Sequence, residues 1–326
     1  MKKILGLAVL VFAIAAVATV LSRDESGNFT FLSAYNLENL LARVGRFGVL
    51  SIAAAFVIVT GGIDLSIGSV VCVAGCLLPW TLRDLGLPAV VGLPLVLAIT
   101  ALIGLFQGLC VVRLRLQPFV VTLCGLLLYR GVMRAFTDDQ RMGFGDTAAG
   151  LRWLATGRVP LGTGFGLPVP LLVLAVVGAL TALFWHRTVA GRHLFALGHN
   201  AEAARLAGVP TGRLTVLAYV LCALLAGLGG CLFVLDVNSA QAASFGNFYE
   251  LYAIAGAVLG GTALRGGEGQ VLGIVLGASL MQLLSNTINL VGNSNQLEFA
   301  VVGAVILVGA AIDELLRRYL RARPGS

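Results

Sequence analysis

Residues 60–70 read Thr60-Gly61-Gly62-Ile63-Asp64-Leu65-Ser66-Ile67-Gly68-Ser69-Val70, and they separate two long apolar runs with a glycine pair and one carboxylate. Lipid offers backbone amide and carbonyl groups no hydrogen-bond partner. An irregular segment is therefore tolerated at membrane depth only where protein or a water-filled cavity surrounds it. Carboxylates at such depth are usually functional. The stretch predicts a helix that is broken inside a membrane protein, on a transport path.

The composition of the whole chain agrees with a membrane protein. Apolar residues make up 58% of the 326 residues, charged residues 11%, and the mean hydropathy is +0.96. Few soluble domains are so apolar. About 20 apolar residues cross the ~30 Å hydrocarbon layer. We therefore expect an all-α polytopic membrane protein, one transmembrane domain over residues 1–326, with about ten helices, some of them broken. The predicted spans are 3–21, 46–60, 66–82, 89–112, 118–136, 169–185, 214–235, 250–264, 270–290 and 297–312.

The positive charges suggest an orientation for these spans. The first apolar run follows Lys2 and Lys3 and is long for the core of a cleaved signal peptide, so we interpret it as the first membrane helix, with a cleaved signal as the alternative. Cytoplasmic amino and carboxyl termini place more than half of the 22 lysines and arginines inside. The net charge of +7 then reflects contact with the inner leaflet of a bacterial plasma membrane. No nucleic-acid partner is indicated.

A second glycine-rich break follows in the second half of the chain. Gly260 and Gly261 are followed by Gly266 and Gly267, again between two apolar runs. The repeat-like halves are about 46–136 and 214–312, and whether they are parallel or inverted is left open by the span count. Paired broken segments in corresponding halves point to the central pathway of a transporter.

The loop at residues 187–213 is predicted to be cytoplasmic and to contain a short helix. Asn200 is a suitable N-cap, Glu202 stands in the first turn, Arg205 lies one turn later, and Gly208 is a suitable residue after the helix. A helix of two turns is marginal alone in water, so we expect it to dock onto a cytoplasmic partner. A capped surface linker is the alternative.

Taken together, these segments resemble the sugar-type permeases of ABC importers, the ribose, xylose and galactose permeases, in the branched-chain-permease-like superfamily. The 60–70 stretch and the Glu202-Ala203-Ala204 loop carry the resemblance. Further matches are Gln117-Pro118-Phe119-Val120-Val121-Thr122-Leu123, Arg130-Gly131, Ala196-Leu197-Gly198-His199-Asn200, Gly260-Gly261-Thr262 and Gly266-Gly267. Gln107 and His199 depart from the usual pattern, which has Asn and Gly there.

The resemblance implies a permease subunit that moves a monosaccharide into the cytoplasm. Its expected partners are a second permease copy or a paralogue, two ATP-binding subunits and an extracytoplasmic binding protein. The chain has no phosphate-binding loop motif, so ATP and Mg²⁺ are expected on the partner and no cofactor or enzyme activity in this chain. The implied coupling residues are Asn200, Glu202, Ala203, Ala204, Arg205 and Gly208. The implied gate residues are Gly61, Gly62, Asp64, Ser66, Gly260, Gly261, Gly266 and Gly267.

Two sets of polar residues have a structural and a functional interpretation. Asp64 is either part of an inner gate or a cap for the helix that starts near Ser66, and we favour the cap. Gln282, Asn286, Asn289 and Asn293 follow one face of an apolar helix. Their amides either line a sugar path, since they donate and accept hydrogen bonds, or join helices. Arg130 and Arg134, near the outer end of span five, are expected either to snorkel to the interface or to meet outer-loop acids such as Asp138.

Three alternatives compete with a sugar importer. The first is ABC import of another small solute, such as an amino acid, a nucleoside or a signalling furanose. The second is an ion-coupled secondary transporter, which needs carboxylates deep within spans, whereas the acids here lie at predicted span ends. The third is a membrane enzyme, for which no nucleophile and base are evident. The six cysteines fall within apolar spans without metal-site spacing, so we expect packing and no metal.

Overall fold

The computed structural model describes residues 2–23, 27–145, 147–162 and 164–290, together with residues 300, 303, 304 and 307. Within these residues the chain is helical apart from two short antiparallel ribbons. The helices are α1 (Lys2–Leu21), α2 (Ala34–Val59), α3 (Ile67–Pro79), α4 (Ala89–Arg113), α5 (Pro118–Thr137), α6 (Ala149–Thr156), α7 (Val169–Arg187), α8 (Val189–His199), α9 (Ala201–Leu206), α10 (Thr211–Val237), α11 (Tyr249–Leu259) and α12 (Val271–Leu290). The strands are β1 (Arg141–Gly143), β2 (Arg158–Pro160), β3 (Gly166–Pro168) and β4 (Ser239–Gln241), and β1 pairs with β4 and β2 with β3.

Eight of the described helices are long and apolar enough to cross a membrane, which confirms the all-α polytopic class. They are α1, α2, α3 with the π-helical turn Trp80–Asp84 that continues it, α4, α5, α7, α10 and α12. The prediction for 250–264 is wrong in length, because α11 has 11 residues, or about 16 Å. The predicted span 297–312 lies largely outside the described residues.

Helix α2 begins twelve residues before the predicted span at 46–60, so that prediction was wrong at its start. The Ser33 hydroxyl caps the helix by accepting a hydrogen bond from the Asn36 N–H at 3.3 Å. The first turns contain Asn36, Glu38 and Arg46, which are polar and yet buried. Contacts with other elements keep this polar half of α2 inside the bundle. Its low hydropathy alone predicts a loop.

Helix α2 lies at the centre of the bundle and packs against α7, α10, α11 and α12. Its first half lies beside the β2–β3 ribbon and the last turn of α10, from which β4 continues, and we call this the ribbon end. Its last residue, Val59, accepts a hydrogen bond from the Gly267 N–H at 2.9 Å, next to α8 and α9. We call this opposite side the loop end. Both glycine-rich breaks lie at the loop end, so the two helix–break–helix units run in the same direction.

Glycines hold neighbouring helices at close range, as their spacing predicts. A methyl group on Gly277 of α12 would collide with the Gly256 carbonyl of α11, and one on Gly273 with the Gly260 carbonyl. On α4, a methyl group on Gly104 would collide with the Tyr219 carbonyl of α10. These contacts fix α11 to α12 and α4 to α10 at backbone distance.

Candidate functional site

Three glycine segments meet at the loop end. A Cβ atom on Gly266 would lie 2.8 Å from the Gly61 nitrogen and 2.9 Å from the Gly198 Cα, and one on Gly198 would collide with the Val59 carbonyl. Gly266 also has a φ of +86°, which disfavours any side chain. The two breaks and the end of α8 therefore touch through backbone alone. We call Gly61, Gly198, Gly266 and Gly267 the glycine junction.

The remaining predicted break glycines lie around this junction. Gly62 faces the Val57 side chain and the Tyr219 hydroxyl, at 2.9 and 3.1 Å from where its Cβ would stand. Gly260 ends α11 and packs on Gly273, whereas Gly261 has a φ of +91° and open space beside it. Both breaks thus turn at glycine, and the fold brings their two ends together although about 200 residues separate them.

Asp64 is buried at the entrance to α3. Its Oδ1 accepts hydrogen bonds from the Ser66 N–H at 2.8 Å and from the Ser66 hydroxyl at 2.6 Å. The Ser66 hydroxyl accepts a hydrogen bond from the Gln107 amide at 2.7 Å, and the Cys222 thiol lies 3.5 Å from Oδ2. Ser66 is the residue just before α3, and none of these hydrogen bonds reaches an N–H group of α3 itself. Asp64 thus braces the residue that precedes the helix, and the predicted cap of α3 is not formed. The same network ties the first break to α4 and α10.

A second buried carboxylate, Glu250, lies at the start of α11 and was missed by sequence reasoning. Its carboxylate is buried against Gly68 in the first turn of α3. Arg130 donates to the carbonyls of Ala242 and Phe245, at 3.0 and 3.1 Å, in the irregular segment between β4 and α11. The alternative in which Arg130 meets outer acids was wrong. The sequence does contain a signal for Glu250, because this acid stands in a run of apolar residues that is too short to cross a membrane.

Arg134 does meet an outer acid. It forms a two-pronged ion pair with Asp139, at 2.8 and 2.7 Å, rather than with Asp138. This guanidinium lowers the pKa of the exposed Asp139 carboxyl. The pair lies just after α5 and before β1, at the ribbon end.

The predicted coupling segment forms the two-turn helix α9. The Asn200 side chain accepts hydrogen bonds from the N–H groups of Glu202 at 3.1 Å and Ala203 at 2.9 Å, which confirms the N-cap. At the other end, Gly208 has a φ of +80° and donates to Arg205, while the Val209 N–H donates to Ala204. This pattern is a Schellman motif, so the predicted terminating role of Gly208 is also confirmed.

Helix α9 exposes a charged and an apolar side chain together. Ala203, Glu202 and Arg205 are exposed, whereas Ala204 is buried against the bundle. Leu206 is 78% exposed and was not among the predicted residues. The loop 187–213 also contains α8, which the sequence analysis did not predict; α8 buries Leu194 and Leu197 and packs Phe195 edge-on against Trp185. α8 therefore fixes α9 to the bundle and ends at the glycine junction.

The polar stripe on α12 faces α2 over part of its length. Asn286 and Asn36 exchange hydrogen bonds of 2.8 and 3.3 Å between their amides. Gln282 accepts a hydrogen bond from the Arg43 Nε at 3.2 Å, and Asn289 is exposed. Asn293 lies outside the described residues. Interhelical hydrogen bonds thus account for two members of the stripe, and a role of the stripe in lining a path stays a prediction.

No cluster of three or more His, Cys, Asp or Glu side chains suited to a metal ion occurs in the described part of the chain. All six cysteines carry free thiols. Four of these are buried, Cys110 is half-buried and Cys124 is exposed.

Comparisons with known proteins agree with these features. The family model described as "Branched-chain amino acid transport system / permease component" matches residues 36–310. The ribose import permease protein RbsC of Escherichia coli strain K12 is 36% identical over 87% of each chain. RbsC of Bacillus subtilis strain 168 is 32% identical over 88% of this chain and 87% of its own. The xylose transport system permease protein XylH of Escherichia coli strain K12 is 28% identical over 97% of this chain and 94% of its own.

No solved structure matches the chain. The family model nevertheless covers most of the sequence, and it includes both breaks and the α8–α9 segment on which the resemblance rested. The chain therefore belongs to the family of branched-chain amino acid transport system permease components.

Proposed function

We propose that the chain is the membrane-spanning permease subunit of an ATP-binding-cassette importer in a bacterial inner membrane, and that it moves a monosaccharide into the cytoplasm. Support comes from the relatives, which are named as ribose import and xylose transport permeases. The observation that carries the coupling role is α9, a capped helix with exposed Glu202, Arg205 and Leu206 that is anchored at the glycine junction.

In this proposal α9 inserts into a groove on the ATP-binding subunit. Leu206 supplies the apolar anchor, and Glu202 and Arg205 supply charges at its rim. Movement of α9 is transmitted to both breaks because the junction has no flexible side chains between its backbones. ATP and Mg²⁺ are held by the partner, both termini are cytoplasmic, and a second permease copy or a paralogue completes the pore. A binding protein delivers the sugar at the ribbon end.

The experiment is reconstitution of the chain with the ATP-binding subunit and the binding protein of its importer. Uptake of radiolabelled D-ribose, D-xylose, D-galactose and L-leucine is measured in proteoliposomes with ATP inside or outside. We expect uptake of at least one monosaccharide that requires ATP on the α9 side. Uptake of leucine alone would favour the alternative solute class that the family description names.

A further inference from the structure

A polar cavity opens at the ribbon end between α2, the α6–β2 segment and the end of α10. Its volume is about 390 Å³, and its lining includes Tyr35, Asn39, Arg43, Arg46, Arg158 and Asp236. The α2 residues follow one another at i, i+4, i+8 and i+11, so they form one face of the helix. Ligand pockets for small molecules typically measure about 300–1,000 Å³, so the volume suits a compact solute.

One lining group is buried with unused hydrogen-bonding capacity. Arg46 is 6% exposed, its Nη1 lies 3.0 Å from the Asp236 carboxylate, and its guanidinium lies 5.5 Å from the Phe233 ring centre. Its Nε has no hydrogen-bond partner within the described residues. A buried polar group without a partner is costly, so such groups are usually retained for a ligand or a structural partner.

Two of the three arginines that line the cavity, Arg46 and Arg158, have carboxylate partners. Arg158 pairs with Glu38 and reaches the Asn39 amide oxygen at 3.4 Å. Arg43 donates to Gln282 and Ser285 behind the lining, at 3.2 and 3.4 Å. The Asp236 carboxylate keeps 32% of its side-chain surface exposed and faces Arg46. The lining thus offers both donors and acceptors, and Arg43 is a lining guanidinium that donates to two neutral side chains.

We infer that this cavity is the first sugar site on the permease, occupied by a neutral monosaccharide after its release at the ribbon end. Hydroxyl groups donate and accept, so they complement a guanidinium, a carboxylate and an amide at once. The inference rests on the proposed function. This site would add residues of α2 to the proposed sugar path. Gln282 would then hold the Arg43 side chain from behind rather than contact the sugar.

The test is protection of a thiol introduced into the cavity. Ala42 lines the cavity, so Ala42→Cys is the labelled variant. It is introduced into a permease in which Cys110 and Cys124, the two native thiols that are not buried, are replaced by Ser. The complex with its ATP-binding subunit is reacted with a small charged thiol reagent across a series of D-ribose or D-xylose concentrations. The matched control is Gln140→Cys, an exposed position at the same end that does not line the cavity.

We expect a transported sugar to slow labelling at position 42 and leave position 140 unchanged, with mannitol as the osmotic control. Adding Asn39→Leu or, separately, Arg46→Gln to Ala42→Cys should raise the half-protecting sugar concentration about tenfold, as for loss of one hydrogen bond to a charged group. Asn39 is half-buried, so its variant remains informative should the Arg46 variant misfold.

Three failures are distinguishable. Absence of ATP-dependent uptake of any monosaccharide by the wild-type complex would overturn the proposed function. Wild-type sugar uptake together with equal labelling at position 42 with and without sugar would overturn the cavity site alone. Protection by leucine and not by sugars would overturn the assignment of a monosaccharide to it.

Discussion

At the scale of single residues, Gly198 carries the closest contact of the glycine junction. Replacing it with Ala places a methyl group against the Val59 carbonyl and the Gly267 nitrogen, and neither backbone can move without shifting a break. Overpacking of this kind costs about 1–3 kcal/mol. We expect Gly198→Ala to lower the melting temperature of the purified permease and to weaken sugar-stimulated ATP hydrolysis by its partner.

The control for this prediction is Gly131→Ala on α5. A methyl group on Gly131 would meet no atom of another described element within 4 Å, and Ala is the better helix former by about 1 kcal/mol. This variant should be neutral or stabilising. Equal behaviour of the two variants in thermal unfolding would show that the junction is looser than its geometry indicates.

At the scale of elements, α9 is the predicted contact with the ATP-binding subunit. Glu202→Ala combined with Arg205→Ala, or Leu206→Ala alone, removes exposed side chains without disturbing the Asn200 cap or the Gly208 turn. We expect permease levels in the membrane to stay unchanged and co-purification of the ATP-binding subunit to fall about tenfold, the effect of losing one interface anchor. Full stimulation of ATP hydrolysis in both variants would remove the coupling role from α9.

A second prediction at this scale separates the two interpretations of the α12 stripe. Asn286→Leu removes the amide pair with Asn36 and should cost about 1 kcal/mol of stability, whereas the exposed Asn289→Leu should cost nothing measurable. If the stripe also lines the path, both variants reduce sugar uptake in assembled complexes. Normal uptake in both would leave the stripe with a purely structural role. Thermal unfolding and proteoliposome uptake measure the two effects independently.

Some features of these elements could be predicted from the sequence and others could not. The cap at Asn200 and the turn at Gly208 were predictable because their hydrogen bonds are local. The start of α2 was not, since Glu38 and Arg46 are polar and become buried only through Arg158 and Asp236, which are far away in the chain. Glu250 was missed for the same reason, since its burial depends on residues far away in the chain. The glycine junction between the two breaks likewise depends on contacts between distant segments.

At the scale of the whole molecule, the arrangement separates the solute from the source of energy. The polar cavity lies at the ribbon end and α9 at the loop end, where both breaks touch the end of α8 that precedes α9. The described residues bury three carboxylates, of which Glu38 pairs with Arg158. The other two, Asp64 and Glu250, lie inside the bundle, where an ion-coupled transporter would need them. Asp64, however, is held by the N–H and the hydroxyl of Ser66, just before α3, and Glu250 lies against Gly68 in the first turn of that helix. Carboxylates fixed between packed elements in this way are suited to a structural role rather than to loading and releasing an ion in each cycle.

This distinction predicts the behaviour of the chain without its partners. Proteoliposomes containing the permease alone, with an imposed proton or sodium gradient, should not accumulate D-ribose or D-xylose above equilibrium. Adding the ATP-binding subunit, the binding protein and ATP should produce accumulation that vanadate abolishes and ionophores leave intact, because hydrolysis on the partner is then the sole driving force. A partner variant unable to hydrolyse ATP controls for assembly. Gradient-driven accumulation by the chain alone would contradict the importer and would give Asp64 and Glu250 the ion-binding role that their fixed positions argue against.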